Sequence, residues 1–118
     1  MRFIHLVHLD ASHFDGMIPA EREDVDRRAL AKNAELENLG VLVHTEAVQN
    51  GQSAVLVRVR DGRVSVTDGP YLESKEQMAG YVLLDLPDMA EAVRHAGEDP
   101  MAEYGTIEVR PAYVIPGS

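Results

Sequence analysis

Between Val64 and Tyr81 the chain reads VSVTDGPYLESKEQMAGY, and no other stretch restricts the fold as much. Val64, Ser65, Val66 and Thr67 alternate apolar and polar, the pattern of a half-buried strand. Asp68-Gly69-Pro70 then stops that strand. Asp68 can accept backbone N–H bonds, Gly69 can take a positive φ, and Pro70 removes a donor and fixes the direction of the chain. The polar run Glu73, Ser74, Lys75, Glu76 and Gln77 leads directly into Gly80-Tyr81-Val82-Leu83-Leu84, which requires burial. A polar loop held between two strands is a common seat for binding residues. The stretch carries no nucleophile with its base, no closed metal set and no phosphate loop, so it specifies a fold before it specifies a reaction.

The flanking segments complete the pattern. Phe3 to Leu9 places Phe3, His5, Val7 and Leu9 on one face and Ile4, Leu6, His8 and Asp10 on the other. Both faces are mostly apolar, which requires a strand covered on two sides. After a loop from Ala11 to Ile18, Pro19 suits a first helical turn, and Glu21, Glu23 and Asp24 follow where the helix dipole favours anions. Val25, Ala29, Leu36 and Leu39 form one stripe with Lys32 inside it, and Gly40 ends the helix. Lys32 is expected to snorkel out to water. Val41 to Val48 reads as a strand, Asn50-Gly51 as a turn, and Ala54 to Arg60 as a further strand with Val55, Val57 and Val59 on one face. Asp61-Gly62 turns that strand tightly into Val64 to Thr67, so the two form a hairpin within a meander.

Gly80 to Leu86 is a near-continuous apolar strand stopped by Pro87. Asp88 caps a helix that turns Met89, Ala92, Val93 and Ala96 inward, with Arg94 and His95 in its last turn and Gly97 as its stop. Thr106 to Tyr113 is the last strand. Without the hairpin, the order is two strand–helix–strand crossovers. This is an α+β, ferredoxin-like βαβ(ββ)βαβ arrangement with an antiparallel sheet and both helices on one face. The other face keeps Val and Leu side chains, and the simplest cover for it is a second copy of the chain, so a homodimer is expected.

With 118 residues, the chain is one domain's worth, residues 1–118. Asp and Glu number 20 against 11 Lys and Arg, giving a net charge of −9 that repels phosphate backbones and anionic lipid. Neither nucleic acid nor a membrane is an expected partner. There are no cysteines, which removes disulfides, thiolate metal sites and cysteine nucleophiles together. Met1 to Asp10 lacks the features of a signal peptide, and a cytoplasmic location is expected. Nothing in the sequence calls for a cofactor, and none is expected.

Asp68-Gly69-Pro70-Tyr71, Glu73-Ser74-Lys75-Glu76-Gln77, Gly80-Tyr81 and Glu108-Val109-Arg110-Pro111 together resemble the YCII-related family, in particular its DGPF-motif branch. Tyr71 stands where that branch has Phe, and Ser74 where it has Thr. The resemblance implies a dimeric α+β barrel, in which two ferredoxin-like sheets face each other and enclose clefts. Some relatives look like companions of extracytoplasmic-function sigma factors. The wider family has been proposed to use a helix histidine with an aspartate before a proline. Asp99-Pro100 resembles the aspartate element, whereas Ala29 occupies the histidine position, so that dyad is not carried over.

The ligand-binding candidates are His5, Asp68, Gly69, Pro70, Tyr71, Glu73, Lys75, Glu76 and Arg110. Asp68 and Asp99 are the candidates for acid–base chemistry, although the Gly-Pro that follows Asp68 favours a role in capping its own turn. Tyr71 either lies against a ligand or closes the core. His8, Asp10 and His13 are the candidate metal ligands. A strand sends His5 and His8 to opposite faces, however, which leaves His8 to pair with Asp10 and argues against a metal site. His44 and His95 read as a strand-surface and a helix-end histidine. The resulting expectation is a small-molecule cleft in a dimeric barrel, with or without catalysis. The alternative is a non-catalytic regulatory or protein-interaction module.

Overall fold

The computed structural model describes all residues, Met1–Ser118. Its centre is β1 (Arg2–Asp10), the strand whose two apolar faces demanded cover. It is flanked by β5 (Glu76–Asp85) and β6 (Gly105–Pro111), with β2 (Leu42–Ala47) outside β5. The sheet order is β2-β5-β1-β6, and every neighbouring pair is antiparallel. Two helices, α1 (Pro19–Asn38) and α2 (Met89–Gly97), make the crossovers. This is the ferredoxin-like arrangement.

The core lies on one sheet face, where Phe3, Val82 and Leu84 pack with Leu36 of α1, Ala92 of α2 and Leu86. Each large side chain buried there contributes about 1.5–3 kcal/mol. Alternation then puts Ile4, Leu6 and His8 of β1 on the opposite, open face, together with Tyr81 and Leu83 of β5 and Glu108 and Arg110 of β6. Pro19 opens α1, and Asp88 caps α2 by accepting the Glu91 N–H at 2.9 Å.

Several side chains depart from their expected places. Lys32 does not snorkel. It is 7% exposed, with its ammonium 3.1 Å from Glu98, 3.3 Å from Glu35 and 3.2 Å from His95 Nδ1. His95 stands in the last turn of α2, as expected, and is buried there beside Lys32. Met89 and Val93 of α2 and Leu39 at the end of α1 are exposed instead of inward. For α2, the buried stripe runs through Ala92, His95 and Ala96.

The meander is also corrected. β3 (Val55–Arg60) and β4 (Arg63–Asp68) pair only with each other, and β2 turns away to join β5. Between β2 and β3 lies a single 3-10 turn, Gly51–Ser53, capped by the Asn50 side chain, rather than a two-residue hairpin turn. The Asp61-Gly62 turn is as expected, with φ of 52° and 73°. All six residues of β4 are exposed, not half-buried, since no element lies on either side of the hairpin there. Val55, Val57, Val59, Val64 and Val66 share one face of it and are 57–67% exposed.

Candidate functional site

At its root the hairpin rises beside the open face of the sheet and leaves a cleft of about 620 Å³. Ala54 and Leu56 of the hairpin form one wall, and Pro70, Tyr71 and Leu72 form another. The floor is His8 of β1 with Glu76, Gln77 and Met78 of β5, and Val48 to Gly51 close the end. The walls are mainly apolar with a few polar groups converging on them, the usual composition of a small-molecule site.

Close backbone approach builds this root. The Gly69 N–H donates to Ala54 O at 2.8 Å, and a Cβ on Gly69 would lie 2.7 Å from the Ala54 Cβ. Gly69 is thus required for space; its φ is not positive, contrary to expectation. A Cβ on Gly51 would similarly stand 2.7 Å from the Pro70 Cβ. Gln77 fixes the loop by donating from Nε2 to Leu72 O and Ser74 O, both at 2.8 Å.

His8 is the most informative polar group in the cleft. Its Nε2 lies 3.0 Å from Glu108 Oε1 on the neighbouring strand, and Glu108 Oε2 lies 3.2 Å from Arg110 Nε. A carboxylate that orients an imidazole leaves the other ring nitrogen available for proton exchange. The expected pairing of His8 with Asp10 does not form. Asp10 accepts from the Ser12 N–H at 2.9 Å and from its hydroxyl at 2.6 Å, which holds its carboxyl below the usual range.

The sequence candidates divide in space. Pro70, Tyr71 and Glu76 line the cleft, and Gly69 shapes its root. Tyr71 is 74% exposed and so does not close the core. Asp68 ends β4 opposite Val55, while Glu73 and Lys75 are exposed on the loop beyond the cleft walls. Arg110 reaches the site only through Glu108. His13 leaves the strand and sets its ring 6.5 Å from that of Tyr104, and no group of three or more metal-ligating side chains is gathered anywhere.

His5 and Asp99 lie on the other side of the sheet, beneath the helices. His5 is buried, and its Nε2–H donates to Ala92 O at 2.8 Å. Burial lowers its pKa, and the carbonyl contact and the nearby Asp99 charge partly offset that effect. Asp99 caps a 3-10 turn, Pro100–Glu103, by accepting the Met101 N–H at 2.9 Å. Sequence reasoning missed Leu56, Gln77, Met78 and Glu108. The available signal was that His8 and Glu108 occupy open-face positions on two strands that a ferredoxin-like order makes neighbours.

An antiparallel four-stranded sheet with two helices on one face and a walled cleft on the other defines an α+β protein of the ferredoxin-like class. The chain belongs to the YCII-related domain family, whose model matches residues 1–115. An uncharacterized protein of Rhizobium meliloti (strain 1021) is 30% identical over 113 residues, covering 94% of this chain and 91% of that one. Among solved structures, the chain is similar to 5-chloro-2-hydroxyhydroquinone dehydrochlorinase (TftG) from Burkholderia phenoliruptrix AC1100, in complex with 2,5-dihydroxybenzoquinone. The TM-score is 0.58 and the identity 11%, over 96% of this chain and 94% of that one. At that identity the likeness establishes the fold. No helix is long and apolar enough to cross a membrane.

Proposed function

We propose that this protein binds a small organic molecule in the cleft between the hairpin root and the open sheet face, and that a second copy of the chain covers that face. The observation that carries the reading is the composition of the cleft. Apolar walls from Leu56, Pro70, Leu72 and Met78 surround one imidazole, His8, that a carboxylate holds in place. With Nε2 on Glu108, His8 keeps its other ring nitrogen as a hydrogen-bond partner for a bound molecule. The dehydrochlorinase of similar fold is in complex with a small quinone, which is a ligand of suitable size.

The bare valine face supports the second copy. A two-stranded hairpin is marginal by itself, and five adjacent exposed valines make a patch that a matching surface would bury. The expected mass by light scattering is twice the 13.0 kDa of the chain, and Val57→Asp should halve it.

The test of the cleft is a thermal-shift screen of small organic molecules on the wild type and on Leu56→Trp, which fills the space. A true ligand at 100 times its Kd stabilises the wild type by about 2.7 kcal/mol and leaves the filled variant unmoved. A compound that stabilises both equally binds elsewhere. If no compound in a broad screen shifts the wild type, the reading fails.

A further inference from the structure

The hairpin's second face carries a charge pattern that the small-molecule reading leaves unexplained. Strand alternation puts Ala54, Leu56, Arg58 and Arg60 on the face opposite the valines, and the register sets Thr67 across from Leu56, Ser65 across from Arg58 and Arg63 across from Arg60. Ala54 and Leu56 are cleft wall. Arg58 follows on the same face of β3, just outside the cleft lining, one two-residue step of about 6.6 Å beyond Leu56 and so within the reach of a side chain as long as arginine.

Five of the eleven cationic side chains make no ion pair, and three of those five stand together on this one face of the hairpin. The protein carries a net charge of −9, and six of its eleven cationic side chains pair with carboxylates. Arg58, Arg60 and Arg63 are in no ion pair, and the contact Arg60 makes is to the carbonyl of Val59 at 2.9 Å. Arg60 and Arg63 face each other directly across the hairpin, an arrangement of like charges that destabilises a strand pair. A stability cost accepted at the tip of the hairpin whose root walls the cleft, in a chain rich in available carboxylates, calls for an anion from outside.

We infer that the ligand of this cleft is an organic anion, an apolar body with a carboxylate or a similar oxyanion, held by its apolar part against Leu56, Pro70 and Met78 and by its charge on Arg58. Arg60 and Arg63 stand behind Arg58 and strengthen the local positive field. The hairpin thus divides its labour, with valines turned toward a second copy and arginines toward the ligand. The inference rests on the small-molecule reading of the cleft and narrows it to a charge class.

The test uses matched acids and amides that differ in charge alone: benzoate and benzamide, phenylacetate and phenylacetamide, indole-3-acetate and indole-3-acetamide. Each is titrated into the full chain at 50 mM salt, with binding read from the resonances of His8, Leu56 and Met78. The expected result is that at least one acid binds about tenfold or more tightly than its amide. Arg58→Gln should remove that preference, whereas Arg2→Gln, an arginine on the far strand end, should keep it. Acid and amide binding equally well would overturn the anion inference and leave the cleft intact. If none of the six moves those resonances, both readings fall. If Arg58→Gln with Arg60→Gln and Arg63→Gln halves the molecular mass and leaves the acid preference unchanged, the arginines serve the contact between copies and the inference is wrong.

Discussion

Replacing Lys32 by methionine tests the buried polar group under the helices more sharply than any other change. Methionine keeps the aliphatic stem but removes the ammonium that donates to His95 Nδ1 and pairs with Glu98 and Glu35. His95 Nδ1 then loses its donor, which costs about 1–3 kcal/mol for a buried acceptor. The two glutamates are roughly half exposed and rehydrate, so each lost pair is worth only about 0.2–1 kcal/mol. Against these losses stands the recovered cost of burying an ammonium, several kcal/mol. The net expectation is a loss of roughly 0–2 kcal/mol for Lys32→Met, smaller than the loss for Lys32→Ala, which also leaves a cavity.

The pH dependence separates this account from simple packing. Burial lowers the pKa of His95, with Lys32 and Arg94 adding to the effect, and burial also lowers that of His5. Both rings therefore fold neutral, and the unfolded chain takes up protons first as pH falls. Their contribution is complete above the ordinary imidazole value of 6.5 and is lost as pH drops from there through the folded values, at up to about 1.4 kcal/mol per pH unit for each ring. Glu98 and Glu91 are lowered by Lys32 and Arg94 respectively, so their contribution is lost only below about pH 4.5. Urea denaturation from pH 7.5 to 5.0 at fixed protein concentration reads the imidazoles alone. Lys32→Met should flatten the slope, because His95 then titrates closer to its ordinary value. A wild type whose stability is level across that range, or a variant with an unchanged slope, would refute the reasoning.

Three further outcomes follow from single contacts. Gly105→Ala would bring a Cβ to 1.9 Å from the His8 carbonyl oxygen, so β1 and β6 must separate; we expect a loss of about 3 kcal/mol or more by denaturation, and failure of soluble expression is also consistent. Asp88→Ala removes the cap of α2 and should cost about 1 kcal/mol, with Asp88→Asn costing less. Glu108→Gln keeps the shape of the cleft floor but replaces the carboxylate 3.0 Å from His8 Nε2 by an amide, so the ring resonances of His8 should move by NMR at fixed pH while the denaturation midpoint moves little.

The topology was legible because each piece of it rests on local chemistry. Two apolar faces on the first strand, proline at the start of one helix, Asp88 at the start of the other and Asp61-Gly62 in the hairpin turn leave few arrangements other than the one observed. Side-chain environments were less legible where they depend on partners distant in sequence. Helical spacing placed Lys32 in the buried stripe, yet its imidazole partner lies 63 residues later on another helix, and single-helix reasoning can only send such a charge outward. The half-burial read from the alternation of Val64 to Thr67 failed for the opposite reason, since alternation specifies two unlike faces without supplying anything to cover the apolar one. Part of the cleft was anticipated through Pro70, Tyr71 and Glu76, while the rest includes His8 and Leu56, residues brought together only when the hairpin stands up against the sheet.

None of the core residues that join β1, β5 and the two helices comes from β3 or β4. The wall of the cleft and the bed of the molecule are therefore separate inheritances. Hydrogen exchange in the hairpin reports a local opening, while exchange in β1 and β5 reports loss of the whole fold. Lengthening the hairpin or exchanging its inward residues should reshape the ligand space while leaving the helix-covered face as it is, so relatives on this scaffold can diverge in what they hold without diverging in how they fold.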